Sequence, residues 1–265
     1  MLFILLLGLG VGAVSALLGI GGGVFLVPFL PALTGWNEHQ VVAFALLIIM
    51  GNSLANLYWF NKKSLVSWDV LVFWGPMAAI GSFVGSYFSI RFSGDYIKLA
   101  LLAVVVLMIV RFTLTFFQKS EDKRLFTSSD WHPVKSVFGV FIGTLSGFCG
   151  VGTGLVSNMM FISRKWVIKD RLSPTGNGVM FFVSLSSFIS FMIFGSGRDV
   201  DFFFIQESWR EALVLMTSVF LSSFFLRPLN PYISDGLRYF CLFVSLCGVL
   251  FYILHSMNLG LTRFI

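Results

Sequence analysis

The chain has 265 residues, of which 57% are hydrophobic and 11% charged, and its mean hydropathy is +0.90. No soluble domain has an interior large enough to hide that much apolar surface, so the composition points to a polytopic, all-α integral membrane protein. The formal charge of +6 does not signal nucleic acid, because the 18 Lys and Arg lie in short connectors between apolar runs, as at a cytoplasmic membrane face.

The N-terminal stretch "MLFILLLGLG" lacks a basic n-region and reads as structure rather than as a signal peptide. It opens an apolar segment, residues 2–34, that glycines break at Gly19 and Gly21 to Gly23. As one straight helix that segment would run about 50 Å against a hydrocarbon core of about 30 Å, and two crossings would need more residues than it has. Three runs of spanning length follow, at about 39–60, 69–90 and 95–117, and then a polar connector. Residues 135–162 are again apolar and glycine-broken, and three further spans are expected at about 173–196, 207–226 and 236–257. Trp36, Trp59, Trp68, Trp131, Trp166 and Trp209 lie in or beside the connectors, the placement of an interfacial aromatic belt. Cys149, Cys241 and Cys247 fall in apolar segments and make no disulfide framework.

The two broken segments resemble each other. "SALLGIGGGV" (15–24) aligns without gaps to "SGFCGVGTGL" (146–155) at a constant offset of 131, pairing Ser15 with Ser146, Gly22 with Thr153 and Gly23 with Gly154. Further along, Trp68 matches Trp209 and Asp95 matches Asp235. The chain therefore reads as one transmembrane domain of two repeats, about 1–118 and 135–265, joined by a cytoplasmic linker at about 119–134. If the second broken element enters and leaves on one face, only Arg91, Lys98, Arg198, Arg210 and Arg263 lie on the other, so 13 of the 18 basic residues share a face. If it spans instead, the split is 10 against 8. Positive-inside bias favours the re-entrant hairpin, and internal symmetry extends it to the first broken element. Each repeat is then a hairpin plus three transmembrane helices, and the odd number of crossings makes the repeats inverted.

Non-helical backbone at membrane depth survives only where protein buries it or water reaches it. Glycine lets a ligand approach the amides, and a helix that restarts after the break offers unpaired N–H groups at its positive end. Two such ends meeting near a pseudo-twofold axis would bind a small anion without a buried lysine. The expected ligands are Ser15, Gly19, Gly21, Gly22 and Gly23 from the first break, and Ser146, Cys149, Gly150, Gly152, Thr153, Gly154 and Ser157 from the second. Asn177, flanked by glycines and close to Ser173 and Thr175, reads as part of a polar cavity, whereas Asn52 and Asn56 have a structural default reading. Gly81 and Gly85 in "IGSFVGS" read as helix-packing residues. Neither a G-x-S-x-G elbow nor an H-E-x-x-H motif occurs, so an enzyme is not expected, nor is a metal or cofactor.

"LLGIGGGVFLVPFL", repeated more loosely as "FCGVGTGLVSNMMF", resembles the TauE/SafE sulfite exporter family, also called the toluene sulfonate uptake permease family. The pair Trp68–Asp69, the run "GSFVG" and the helix opening "SGDYIK" share the likeness, which covers nearly the whole chain. The resemblance implies transport of sulfite, sulfonates or related anions across a bacterial inner membrane. Thr153 stands where a full glycine run would place glycine, and Met159 replaces the counterpart of Pro28, so the site is expected to be asymmetric. Direction, a coupling ion (proton or sodium) and a homodimeric state are left open, and an anion channel using the same site is the alternative reading.

Overall fold

A computed structural model of the chain describes residues 1–18, 22–117, 133–163, 166–167, 169–195, 209–226 and 235–261. The described residues form ten α-helices and no strand: α1 (Leu2–Leu18), α2 (Gly23–Thr34), α3 (Glu38–Lys62), α4 (Trp68–Arg91), α5 (Gly94–Phe117), α6 (Pro133–Cys149), α7 (Gly154–Ser163), α8 (Lys169–Phe194), α9 (Trp209–Leu226) and α10 (Asp235–Leu261). Each of the six expected spans is covered by a helix, and α3, α4, α8 and α9 are by themselves long and apolar enough to cross a membrane. Many large apolar side chains point outward, among them Phe251, Phe240 and Phe225, each about two-thirds exposed or more. Such a surface is stable in lipid and not in water.

Local chemistry sets the helix ends. Asn37 accepts a hydrogen bond from the Gln40 amide at 2.9 Å, and Gln40 Oε1 accepts from the Asn37 amide at 3.0 Å. This capping box starts α3 and contributes about 1 kcal/mol. Gly35, left-handed at φ 73°, closes α2 by donating its N–H to the Pro31 carbonyl.

Helix α1 ends at Leu18 and α2 starts at Gly23, α6 ends at Cys149 and α7 starts at Gly154, and residues on the two sides of each break come close. A Cβ on Gly22 would meet Val11 Cγ1 at 2.7 Å. Eleven residues of continuous helix would instead set those positions about 16 Å apart. In the second segment Gly139, early in α6, lies against Trp74 and Met77, and Phe161 and Trp166, after the break, pack edge-to-face on the same Trp74 at 5.2 and 5.7 Å between ring centroids. Trp166 is therefore core rather than belt, being only 9% exposed, while Trp68 and Trp209 are about half exposed as an interfacial role requires.

Small residues hold the bundle together. On α4, a Cβ at Gly81 or Gly85 would run into the carbonyls of Val140 and Thr144; on α6, Gly143 and Gly147 meet those of Ala78 and Ser82. The two backbones are in direct contact, as the packing reading of Gly81 and Gly85 anticipates. Serine hydroxyls stitch α8 to α4: Ser186 donates to Ala79 O at 2.7 Å, Ser190 to Phe83 O at 3.0 Å, and Ser82 to Val183 O at 3.1 Å. On the other side α9 packs on α1, with Ser222 donating to Leu9 O at 2.7 Å and Ser223 to Gly12 O at 3.1 Å. Because a carbonyl cannot move aside as a side-chain tip can, Gly143→Leu is expected to force α4 and α6 apart and cost about 3 kcal/mol, the upper end for overpacking. The check is the yield of monodisperse protein after detergent extraction, which should fall several-fold.

Candidate functional site

The two breaks meet. A Cβ on Gly23 would lie 2.5 Å from the Val151 carbonyl oxygen, so the start of α2 rests directly on the backbone of the second break. Ile49 of α3 covers the contact, with Cδ1 2.5 Å from that same Cβ position and 3.5 Å from the one on Gly152. Met180 of α8 lies over Gly152 and Gly154, its sulfur 3.5 and 2.5 Å from the corresponding Cβ positions.

Glycine is required here for conformation as well as space. Gly22, Gly150 and Gly152 have φ of 76°, 69° and 77°, the left-handed region that costs other residues about 1–2 kcal/mol. Gly22 is the N-cap of α2 and has no side chain to cap it, while its carbonyl accepts from the amides of Phe25 and Leu26. The first N–H groups of α2 thus carry no side-chain partner, although Val24 beside them is fully buried. Across the break, Thr153 precedes α7 and accepts from the Ser157 amide at 2.7 Å.

The hydroxyls divide into two sets. Ser15 is 2% exposed and accepts from Asn52 Nδ2 at 2.9 Å, so α3 occupies it. Ser146, Thr153 and Ser157 are all buried, and their hydroxyl oxygens have no partner. In a membrane interior unpaired buried hydroxyls are costly. Ser146, Val151 and Gly152 line a cavity of about 10 Å³, the room of about one water and less than an anion needs. Ile49 and Met180 pack over the glycines of the junction, and Val104, Ile142, Leu145 and Val156 complete the cavity wall.

Cys149 is fully buried in the core cluster, in keeping with a filler. Asn177 stands apart from the break, one turn before Met180 on α8, and accepts from Asn56 Nδ2 at 2.8 Å. Gly19 and Gly21 lie outside the described residues. Sequence reasoning did not single out Ile49, Met180 or Asn158; a polar residue one turn after Gly154 in "GLVSNMMF" was the available signal for Asn158.

An all-helical bundle with lipid-compatible surfaces and glycine-broken helices meeting in its interior has the architecture of a polytopic membrane protein. Residues 4–252 match the family "Sulfite exporter TauE/SafE", and the chain belongs to that family of membrane transporters. It is similar to proteins named "Probable membrane transporter protein": one of Haemophilus influenzae is 29% identical over 68% of each chain. A second, of Methanocaldococcus jannaschii, is 26% identical over 71% of each. A third, of Xylella fastidiosa, is 27% identical over 58% of this chain and 60% of its own. No solved structure matches the chain.

Proposed function

We propose that this protein is a secondary transporter of small sulfur oxyanions, sulfite or sulfonates, in a bacterial inner membrane. The anion binds between the two breaks, on the first amides of α2 and α7 and the hydroxyls of Ser146, Thr153 and Ser157. The observation that carries this reading is the direct contact of Gly23 with Val151 beside three unpaired hydroxyls.

The architecture of the proposal is two inverted repeats. Its support is that interface partners recur at constant offsets. Gly23 under Ile49 corresponds to Gly154 under Met180, both pairs displaced by 131. Gly12 on the Val219 carbonyl corresponds to Gly143 on that of Ala78, the glycines displaced by 131 and the carbonyls by 141, the offset that also pairs Trp68 with Trp209. The hairpin reading draws on the close approach of the two sides of each break. It is also supported by the ion pair of Lys98 and Glu38, 2.6 Å apart at the starts of α5 and α3, and by the 3.1 Å bond from Ser67 N to Thr175 Oγ1 between the starts of α4 and α8. The proposal includes alternating access, and an asymmetry supports it. Helices α8 and α4 are closed by the serine bonds, while their counterparts α3 and α9 leave a cleft of about 320 Å³ flanked by Ile48, Asn52, Met216 and Phe220.

In a cysteine-free background, a single cysteine at Ser64 should label only from the cytoplasm and one at Ser93 only from outside. The reverse pattern would overturn the topology. Flux into proteoliposomes tests the function: a carrier saturates with sulfite and shows counterflow, whereas a channel does neither.

A further inference from the structure

Buried polar atoms without partners limit by their chemistry what could pair with them. At the breaks they are hydroxyls, which can donate to an anion. Around Asn177 they change character. Asn177 donates Nδ2 to the Ser173 carbonyl at 2.8 Å, and a carbonyl can only accept, so this bond fixes which way the Asn177 amide faces. Asn177 Oδ1 is then the acceptor for Asn56 Nδ2, and Asn56 Oδ1 is left buried and unpaired on a side chain only 3% exposed. From α7, Asn158 Oδ1 lies against Gly176, where a Cβ would collide with it, and it too is buried without a partner. Ser173 Oγ is the third such atom. Helical spacing sets Ser173 about 60° from Gly176 on one side and about 40° from Asn177 on the other, between the two asparagines.

What remains over is therefore two amide oxygens and a hydroxyl, from α3, α7 and α8. Oxygen ligands suit a hard cation, divalent ions in such sites draw carboxylates, and these three groups carry no charge. Among the described residues no cluster of His, Cys, Asp or Glu could hold a divalent metal. We propose that Asn56 Oδ1, Asn158 Oδ1 and Ser173 Oγ hold a sodium ion whose occupancy raises the affinity for the anion.

The physical advantage is charge cancellation. Among the described residues no Lys or Arg is buried, so the interior must carry an anion through low dielectric, and a sodium ion bound within a few turns offsets that charge. At the offset of 131, Asn158 corresponds to Val27 and Ser173 to Val42, so the first repeat lacks these two oxygens and one cation per cycle is expected. The pairing with an anion rests on the transport reading above; the sodium site itself does not.

The test uses purified full-length protein at constant ionic strength. Thermal-shift titration with NaCl, without any sulfur anion, should give a saturable stabilisation absent with KCl or choline chloride. Asn158→Val and Ser173→Ala should each raise the half-saturating sodium concentration at least about tenfold; Ser173→Ala removes only one oxygen, which keeps the experiment decisive if Asn158→Val fails to fold. Affinity for methanesulfonate should be at least about tenfold higher in sodium than in choline, and by reciprocity the anion should tighten sodium by the same factor. Identical responses to sodium, potassium and choline would overturn the site. Equal anion affinity in sodium and choline would overturn the coupling while leaving the anion reading standing. Saturable sodium binding with no binding of any sulfur anion would uphold the cation site and remove the anion reading.

Discussion

Gly23→Leu is expected to reduce sulfite flux in proteoliposomes to background while the protein still inserts. The new Cβ would lie 2.5 Å from both the Val151 carbonyl and the Ile49 tip. Ile49 can rotate away, but the carbonyl belongs to the second break and cannot. The breaks must then part by roughly an ångström, enough to spoil N–H donors meant to converge on one ligand, because hydrogen bonds weaken steeply beyond their normal length. Leucine is also a good helix former and apolar, so α2 itself should survive. Gly10→Leu is the control. Its Cβ position has open space around it on the exposed side of α1, so flux should match the unmodified protein. If Gly23→Leu transports as well as Gly10→Leu, the junction of the breaks is not the anion site.

Methanesulfonate is expected to bind at least about tenfold more tightly than acetate. Both are monoanions carrying the same methyl group, so the comparison isolates three oxygens against two. The donors at the site come from two directions: the amides opening α2, and Ser146, Thr153 and Ser157 around α7. A three-oxygen head group can accept from both at once, whereas a carboxylate leaves at least one buried donor unpaired, at about 1–3 kcal/mol. That corresponds to roughly 5- to 150-fold in affinity. Ser146→Ala and Thr153→Ala should narrow the difference by removing the donors that acetate fails to use. Ser15→Ala should affect it less, because Ser15 is already engaged by Asn52. Calorimetric titration at fixed pH and ionic strength decides it, and equal affinities would mean that the site reads charge alone.

The sequence carried the membrane class, the positions of six long helices and both interruptions, because hydropathy and glycine's backbone freedom are local properties. It also carried the packing role of Gly81 and Gly85, since a four-residue spacing of small residues brings helices close whatever the partner is. Pairing was not legible. Ser15 and Ser146 are equivalent by sequence, yet Asn52 of α3 satisfies the first while the second faces a water-sized cavity. Trp166 looked interfacial from its polar neighbours but packs edge-to-face on Trp74 of α4. Ile49 and Met180 gave no signal as the residues over the junction, because an apolar side chain in a membrane helix reads the same toward lipid, core or ligand. The local chain determines which groups are unpaired by their own helix. Only the packing of distant helices decides which of them stay unpaired, and those are the groups left to bind something else.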